Sequence, residues 1–107
     1  MLTTTIELWP FGDEEKAQRL VTINIANVGP DPADPHTYDY IYTIDEPKPL
    51  FGKPIEAEGI LKGYNREGTA VDILAAVIKD YYNGPKKLSN SDQIVVERLR
   101  YKTIKTS

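Results

Sequence analysis

The segment Thr37-Tyr38-Asp39-Tyr40-Ile41-Tyr42-Thr43-Ile44-Asp45 decides how this chain folds. Side chains alternate across a β-strand, so Tyr38, Tyr40 and Tyr42 share one face and Asp39, Ile41, Thr43 and Asp45 share the other. Two readings of the tyrosine stripe are open. It packs into a small core with its hydroxyls reaching the rim, or it forms an exposed platform for a protein partner or a stacked base. A covering helix favours the more apolar face, which directs the tyrosines inward.

Working outward, Glu46-Pro47-Lys48-Pro49 ends this strand, and Asn27 to His36, with one glycine and three prolines, reads as the loop before it. Val21, Ile23 and Ile25 point inward from a second strand, with Thr22 and Asn24 outward. Leu2, Thr4, Ile6 and Leu8 alternate with Thr3, Thr5, Glu7 and Trp9 in a first strand that Pro10 stops. Asp13 to Lys16 suits one helical turn. Ile55 to Lys62 is a weaker strand, and Gly59 inside it signals a bulge or a close backbone approach.

Thr69 is a helix cap with Asp72 three residues on, and Val71, Leu74, Ile78 and Tyr81 recur at helical spacing. Asn83-Gly84-Pro85 stops that helix. Ile94 to Ile104 is rich in β-branched and aromatic residues and reads as a fifth strand, with Val95, Leu99 and Tyr101 opposite Arg98, Arg100 and Lys102. Asn90-Ser91-Asp92 offers the alternative of a helix cap there. The expected fold is a single α+β domain over residues 1–107. Its order is β-β-β-β-α-β, a mostly antiparallel sheet with one helix on one face.

The chain has 107 residues, no cysteine and a net charge of −3. Disulfides, zinc–thiolate sites and thiol chemistry are therefore excluded. No basic-then-apolar leader and no apolar run of about 20 residues is visible, so a cytoplasmic location without membrane contact is expected. Residues 1–84 hold 14 acidic and 7 basic side chains, and residues 85–107 hold 2 and 6. The basic end is either a nucleic-acid contact through Arg98, Arg100 and Lys102 or a strand lying beside acidic neighbours.

Gly63 to Thr69 lies where a phosphate loop would lie, but the lysine of such a loop is missing. A general anion or nucleotide site at Arg66, Gly68 and Thr69 stays open beside an ordinary helix start. Asp31, Asp34, His36 and Asp39 crowd one loop without the spacing of a calcium site, and a lone histidine allows no two-histidine metal centre. Glu56 and Glu58 share a strand face about 7 Å apart, a separation open to acid–base work but with no partner that spacing picks out. No metal and no cofactor is expected. Trp9 and Phe11 flank a turn, closing the core or exposed as an anchor for a protein partner.

Trp9-Pro10-Phe11-Gly12-Asp13, then Ile25-Ala26-Asn27, Tyr38-Asp39-Tyr40 and Gly63-Tyr64-Asn65-Arg66, form an ordered series. It resembles a group of short uncharacterised proteins from bacterial and phage genomes over most of the chain ahead of Gly84. The resemblance implies a small accessory protein of mobile-element origin that binds host machinery, such as an inhibitor of a host system. It implies no activity or cofactor. The expected function is thus a non-enzymatic module that docks on another protein. A nucleotide or anion binder and a nucleic-acid contact are the alternatives, and edge strands leave a homodimer open.

Overall fold

The computed structural model of the chain describes residues 2–9, 18–49, 52–65, 69–85 and 87–106. Four strands, β1 (Leu2–Leu8), β2 (Arg19–Pro30), β3 (Thr37–Asp45) and β4 (Glu56–Asn65), form one antiparallel sheet in the order β1-β2-β3-β4. Two helices follow, α1 (Ala70–Asn83) and α2 (Asn90–Thr106). Among the described residues no helix is long and apolar enough to cross a membrane. The proposed turn at Asp13 to Lys16 lies outside the described residues.

The helices cover opposite faces of the sheet. Tyr40, Tyr42 and Ile44 of β3 join Val21, Ile23 and Ile25 of β2 and Val77 and Tyr81 of α1 in one apolar cluster. Ile41, on the other face of β3, joins Leu88 and the α2 residues Val96 and Leu99 in a second. A central strand buried on both sides needs a layer on each, so the architecture is helix, sheet, helix. The expected single helix on a single face is corrected accordingly. Asn24, expected to point to solvent, is buried for the same reason, and Thr3 donates to its carboxamide oxygen at 2.8 Å.

The start and stop signals of α1 are realised. Thr69 accepts the N–H of Asp72, and the Asp72 carboxylate accepts the N–H of Thr69. Gly84 follows the last turn at φ 85°, a conformation that suits a residue without a Cβ. Val77 and Tyr81 are buried beneath α1, while Val71, expected on the apolar face, lies 75% exposed.

The fifth strand expected near residues 92–104 is instead α2. Ser89 caps it, its hydroxyl accepting the Asp92 N–H at 3.3 Å and donating to the Asp92 carboxylate at 2.8 Å. On a helix, Gln93, Val96, Leu99 and Arg100 fall on one side, and residues two apart diverge by about 200°. Leu99 is therefore buried and Tyr101 exposed, although a strand places them together. The alternative of a helix at this place is the one that the fold adopts, but its cap is Ser89, and Asn90-Ser91-Asp92 form its first turn.

Gly59 is a close approach and not a bulge. It pairs directly with Tyr42 across the β3–β4 ladder, and the Tyr42 ring lies over it. A Cβ at this position would meet the ring carbon Cε2 at 2.6 Å. Tyr42 has no exposure and cannot retreat. Gly59→Ala is expected to lower unfolding stability by about 3 kcal/mol, the upper part of the usual overpacking range. Replacing Tyr42 by Leu in that background should recover part of the loss, because the ring is what the Cβ meets. Urea unfolding of the single and double variants measures this coupling.

Candidate functional site

The tyrosine stripe is core. Tyr42 is fully buried, Tyr40 nearly so and Tyr38 half-buried. The Tyr42 hydroxyl donates to Asp80 at 2.5 Å. Burial, and then the Asp80 carboxylate, push the phenol far above its ordinary range. Tyr38 and Tyr40 meet edge to face at 6.4 Å, as do Tyr40 and Tyr64 at 6.2 Å. A partner-facing platform of Tyr38, Tyr40 and Tyr42 is thus corrected to packing beneath α1, because that helix supplies the apolar cover the strand face requires.

The other sequence candidates separate in space. Phe11, Arg66 and Gly68 lie outside the described residues. Thr69 is occupied in capping: its N–H and hydroxyl both donate to the Asp72 carboxylate, at 3.1 and 2.9 Å. That carboxylate stands where an anion would approach the helix end, and it opposes one. Arg98 and Arg100 form no common stripe, because a spacing of two sends Arg100 to the opposite side of a helix, and the side chain of Lys102 lies outside the described residues. Arg98 is exposed, whereas Arg100 turns toward the sheet.

Arg100 is the hub of the α2 face. It donates from Nε to Asp45 at 3.0 Å, from one terminal nitrogen to Glu58 at 2.5 Å and from the other to the Ala57 carbonyl at 2.9 Å. Gln93 adds a bond to Glu58 at 2.7 Å. Burial works against the charge on Glu58, but Gln93 and Arg100 outweigh it and hold that carboxyl below its usual range. Burial dominates at Asp45 and pushes its carboxyl up against the pull of Arg100. Its second oxygen, like the Thr43 hydroxyl, is buried with no hydrogen-bond partner among the described residues. Glu56 stays exposed and meets the same Arg100 at 3.9 Å, so both glutamates belong to one ion-pair network, Glu58 within it and Glu56 at its solvent edge.

Of the loop acids, the fold brings Asp31 and Asp39 together, both buried. Burial raises the Asp39 carboxyl, and the hydrogen bond between the two side chains lowers that of Asp31. Asp31 also accepts the N–H groups of Ala33 and Asp34, and Asp39 accepts that of Gly63. Asp34 and His36 are exposed, and the Asp34 carboxylate accepts the His36 N–H. Among the described residues no three metal-ligating side chains gather.

A groove that sequence reasoning missed lies between α2 and the end of β2. Pairing of β1 with β2 ends at Leu2 opposite Ile25. Ala26 to Pro30 therefore has a neighbour, β3, on one side only among the described residues. Ile94, Arg98 and Tyr101 follow one another along α2 at helical spacing and stand beside that strand end. Together with Val28, Val95 and Leu99 they line a groove of about 670 Å³. Val28, Ile94 and Tyr101 are 41%, 52% and 64% exposed, three of the six exposed large apolar side chains among the described residues. The helical period of residues 94–101 is the signal that would have revealed it.

Trp9 is a separate feature on the α1 side. It is exposed, its carbonyl accepts the Tyr82 hydroxyl at 3.0 Å, and it borders a cavity of about 430 Å³ with Ile6, Ile78 and Tyr82.

The Arg100 network makes a sign-definite prediction. Glu58, with its carboxyl held down, contributes stability that is present above its unfolded pKa and is lost as pH falls through its folded value. Arg100→Leu strands both carboxylates and should cost about 3 kcal/mol at pH 7. The cost should shrink as pH falls, first as Asp45, whose carboxyl is raised, takes up a proton and then as Glu58, whose carboxyl is lowered, does so. Urea titrations of the two proteins across the acid range measure it. Comparison with protein-family models, with curated proteins and with solved structures finds no match to this chain.

Proposed function

We propose that this protein is a small non-enzymatic docking module that captures an extended apolar segment of another protein in the groove between β2 and α2. The observation that carries this reading is the gathering of Val28, Ile94 and Tyr101 beside a strand end that pairs on one side only among the described residues. A strand end with a vacant side offers backbone donors and acceptors to an incoming strand, and adjacent apolar side chains supply the area and the selectivity. Glu97 and Arg98 border the same groove and suit a segment with polar ends. The resemblance carried by the Trp9 to Asp13 element gives the module its most concrete role, an accessory inhibitor that docks on host machinery.

Trp9 faces the other side of the sheet and takes no part in this groove. A photo-crosslinking side chain at Ile94, used in lysate, should label one protein within an extended segment, whereas the same group at Trp9 should not. Ile94→Asp should weaken capture of that protein at least about tenfold, equivalent to about 1.4 kcal/mol, and Trp9→Ala should leave it unchanged. Loss of capture with Trp9→Ala and not with Ile94→Asp would move the docking surface to the α1 side. Labelling spread over many proteins would count against the module altogether.

A further inference from the structure

We infer that β1 is a self-association edge: two copies of the chain pair their β1 strands antiparallel about a two-fold axis through Thr5, making one eight-stranded sheet. β1 is an outer strand of the sheet, and among the described residues nothing pairs with its outer side. Natural edges are blunted by lysine, proline, bulges or a covering segment. Leu2-Thr3-Thr4-Thr5-Ile6-Glu7-Leu8 carries no proline, no lysine and no arginine, and it pairs with β2 in unbroken register. The other outer strand, β4, has a register shift, two glycines and Lys62.

The core is also unfinished at β1. α2 lies over β2 and β3, and α1 packs chiefly on β4. Leu2 and Ile6 consequently remain half-buried at the rim of the α1-side cluster. A second sheet joined edge to edge continues that apolar face.

The strand is complementary to itself. Thr5 is the one centre that pairs all seven residues, setting Leu2 against Leu8 and Thr4 against Ile6 on the apolar face. On the other face Thr3 meets Glu7 and Thr5 meets Thr5, a favourable cross-strand pair. The two Glu7 carboxylates are then separated by four residues, about 13 Å along the strand, beyond the screening length of about 8 Å at physiological salt. A centre shifted to Glu7 would place them face to face. Isologous pairing of this kind is the commonest form of oligomer.

Because the chain has no cysteine, an introduced thiol is the only one present. Across the axis the two residue-5 Cα atoms would lie about 4.5–5.5 Å apart, within disulfide reach. Sedimentation equilibrium of the full chain should show the mass rising from 12.1 kDa toward twice that value as concentration goes from about 1 to about 200 µM. Thr5→Cys should then cross-link copy to copy on mild oxidation, and Thr3→Cys, which faces Glu7, should not. Thr5→Lys should return the protein to monomer with an unchanged circular dichroism spectrum, and Ile94→Asp should leave the dimer intact. A monomer at every concentration, a dimer indifferent to Thr5→Lys, or cross-linking through Thr3→Cys alone would each overturn the proposal.

Discussion

The ring of Tyr42 lying across Gly59 is the contact on which the α1 half of the molecule depends. A tyrosine buried with no exposure at the centre of a four-stranded sheet needs a missing side chain on one neighbouring strand and a hydroxyl partner above it. Gly59 supplies the first and Asp80 the second. Full burial of one large side chain contributes about 1.5–3 kcal/mol, and the phenol donates to a carboxylate, a stronger bond than a neutral pair gives. Both partners are set by this one ring: β4 must bring its glycine opposite residue 42, and α1 must present Asp80 at the rim. Tyr40 and Tyr64 then stack outward at right angles and carry the packing to the start of α1.

The opposite face is held differently. Its sheet residues include Asn24, Thr43, Asp45 and Glu58, too polar to be covered by an apolar helix without a penalty. α2 meets them with Arg100 and Gln93 on its inner side and with Val96 and Leu99 beside these. Ion pairs of this kind add little net stability over a well-packed apolar contact, and removing one partner is costly. Their positional effect here is to turn α2 so that Ile94, Arg98 and Tyr101 border the end of β2. The groove beside β2 is thus a by-product of how a polar sheet face is satisfied.

Much of the sheet was legible because period-two alternation reports strands directly. β3 has the expected bounds, Val21, Ile23 and Ile25 are inward, and the stop of α1 falls at Asn83 and Gly84. The C-terminal helix departs from the expected strand because Ile94, Val95 and Val96 favour a strand intrinsically, while in the fold the packing of Val95 and Val96 with Ile41 and the Arg100 bonds override that preference. The same departure scattered the supposed basic stripe and hid the groove. Arg98 and Arg100 looked like neighbours on a face and are in fact on opposite sides of a helix. The Asp31–Asp39 pair was only half visible, since a crowd of acids in a loop does not reveal which two the strands bring together.

What the sequence by itself determined is local: strand alternation, the capping box at Thr69 and Asp72, the glycine stop at Gly84, and the exclusion of thiol chemistry. These follow from backbone stereochemistry and from residue types within a few positions of one another. Only the tertiary structure decided that the tyrosines are core, that Gly59 is a seat for a ring, that Arg100 is a half-buried hub and that the end of β2 has one neighbouring strand among the described residues. Each of these depends on pairs far apart in the chain. A side chain has no face until its strand or helix has a neighbour, and the identity of that neighbour is a property of the whole fold.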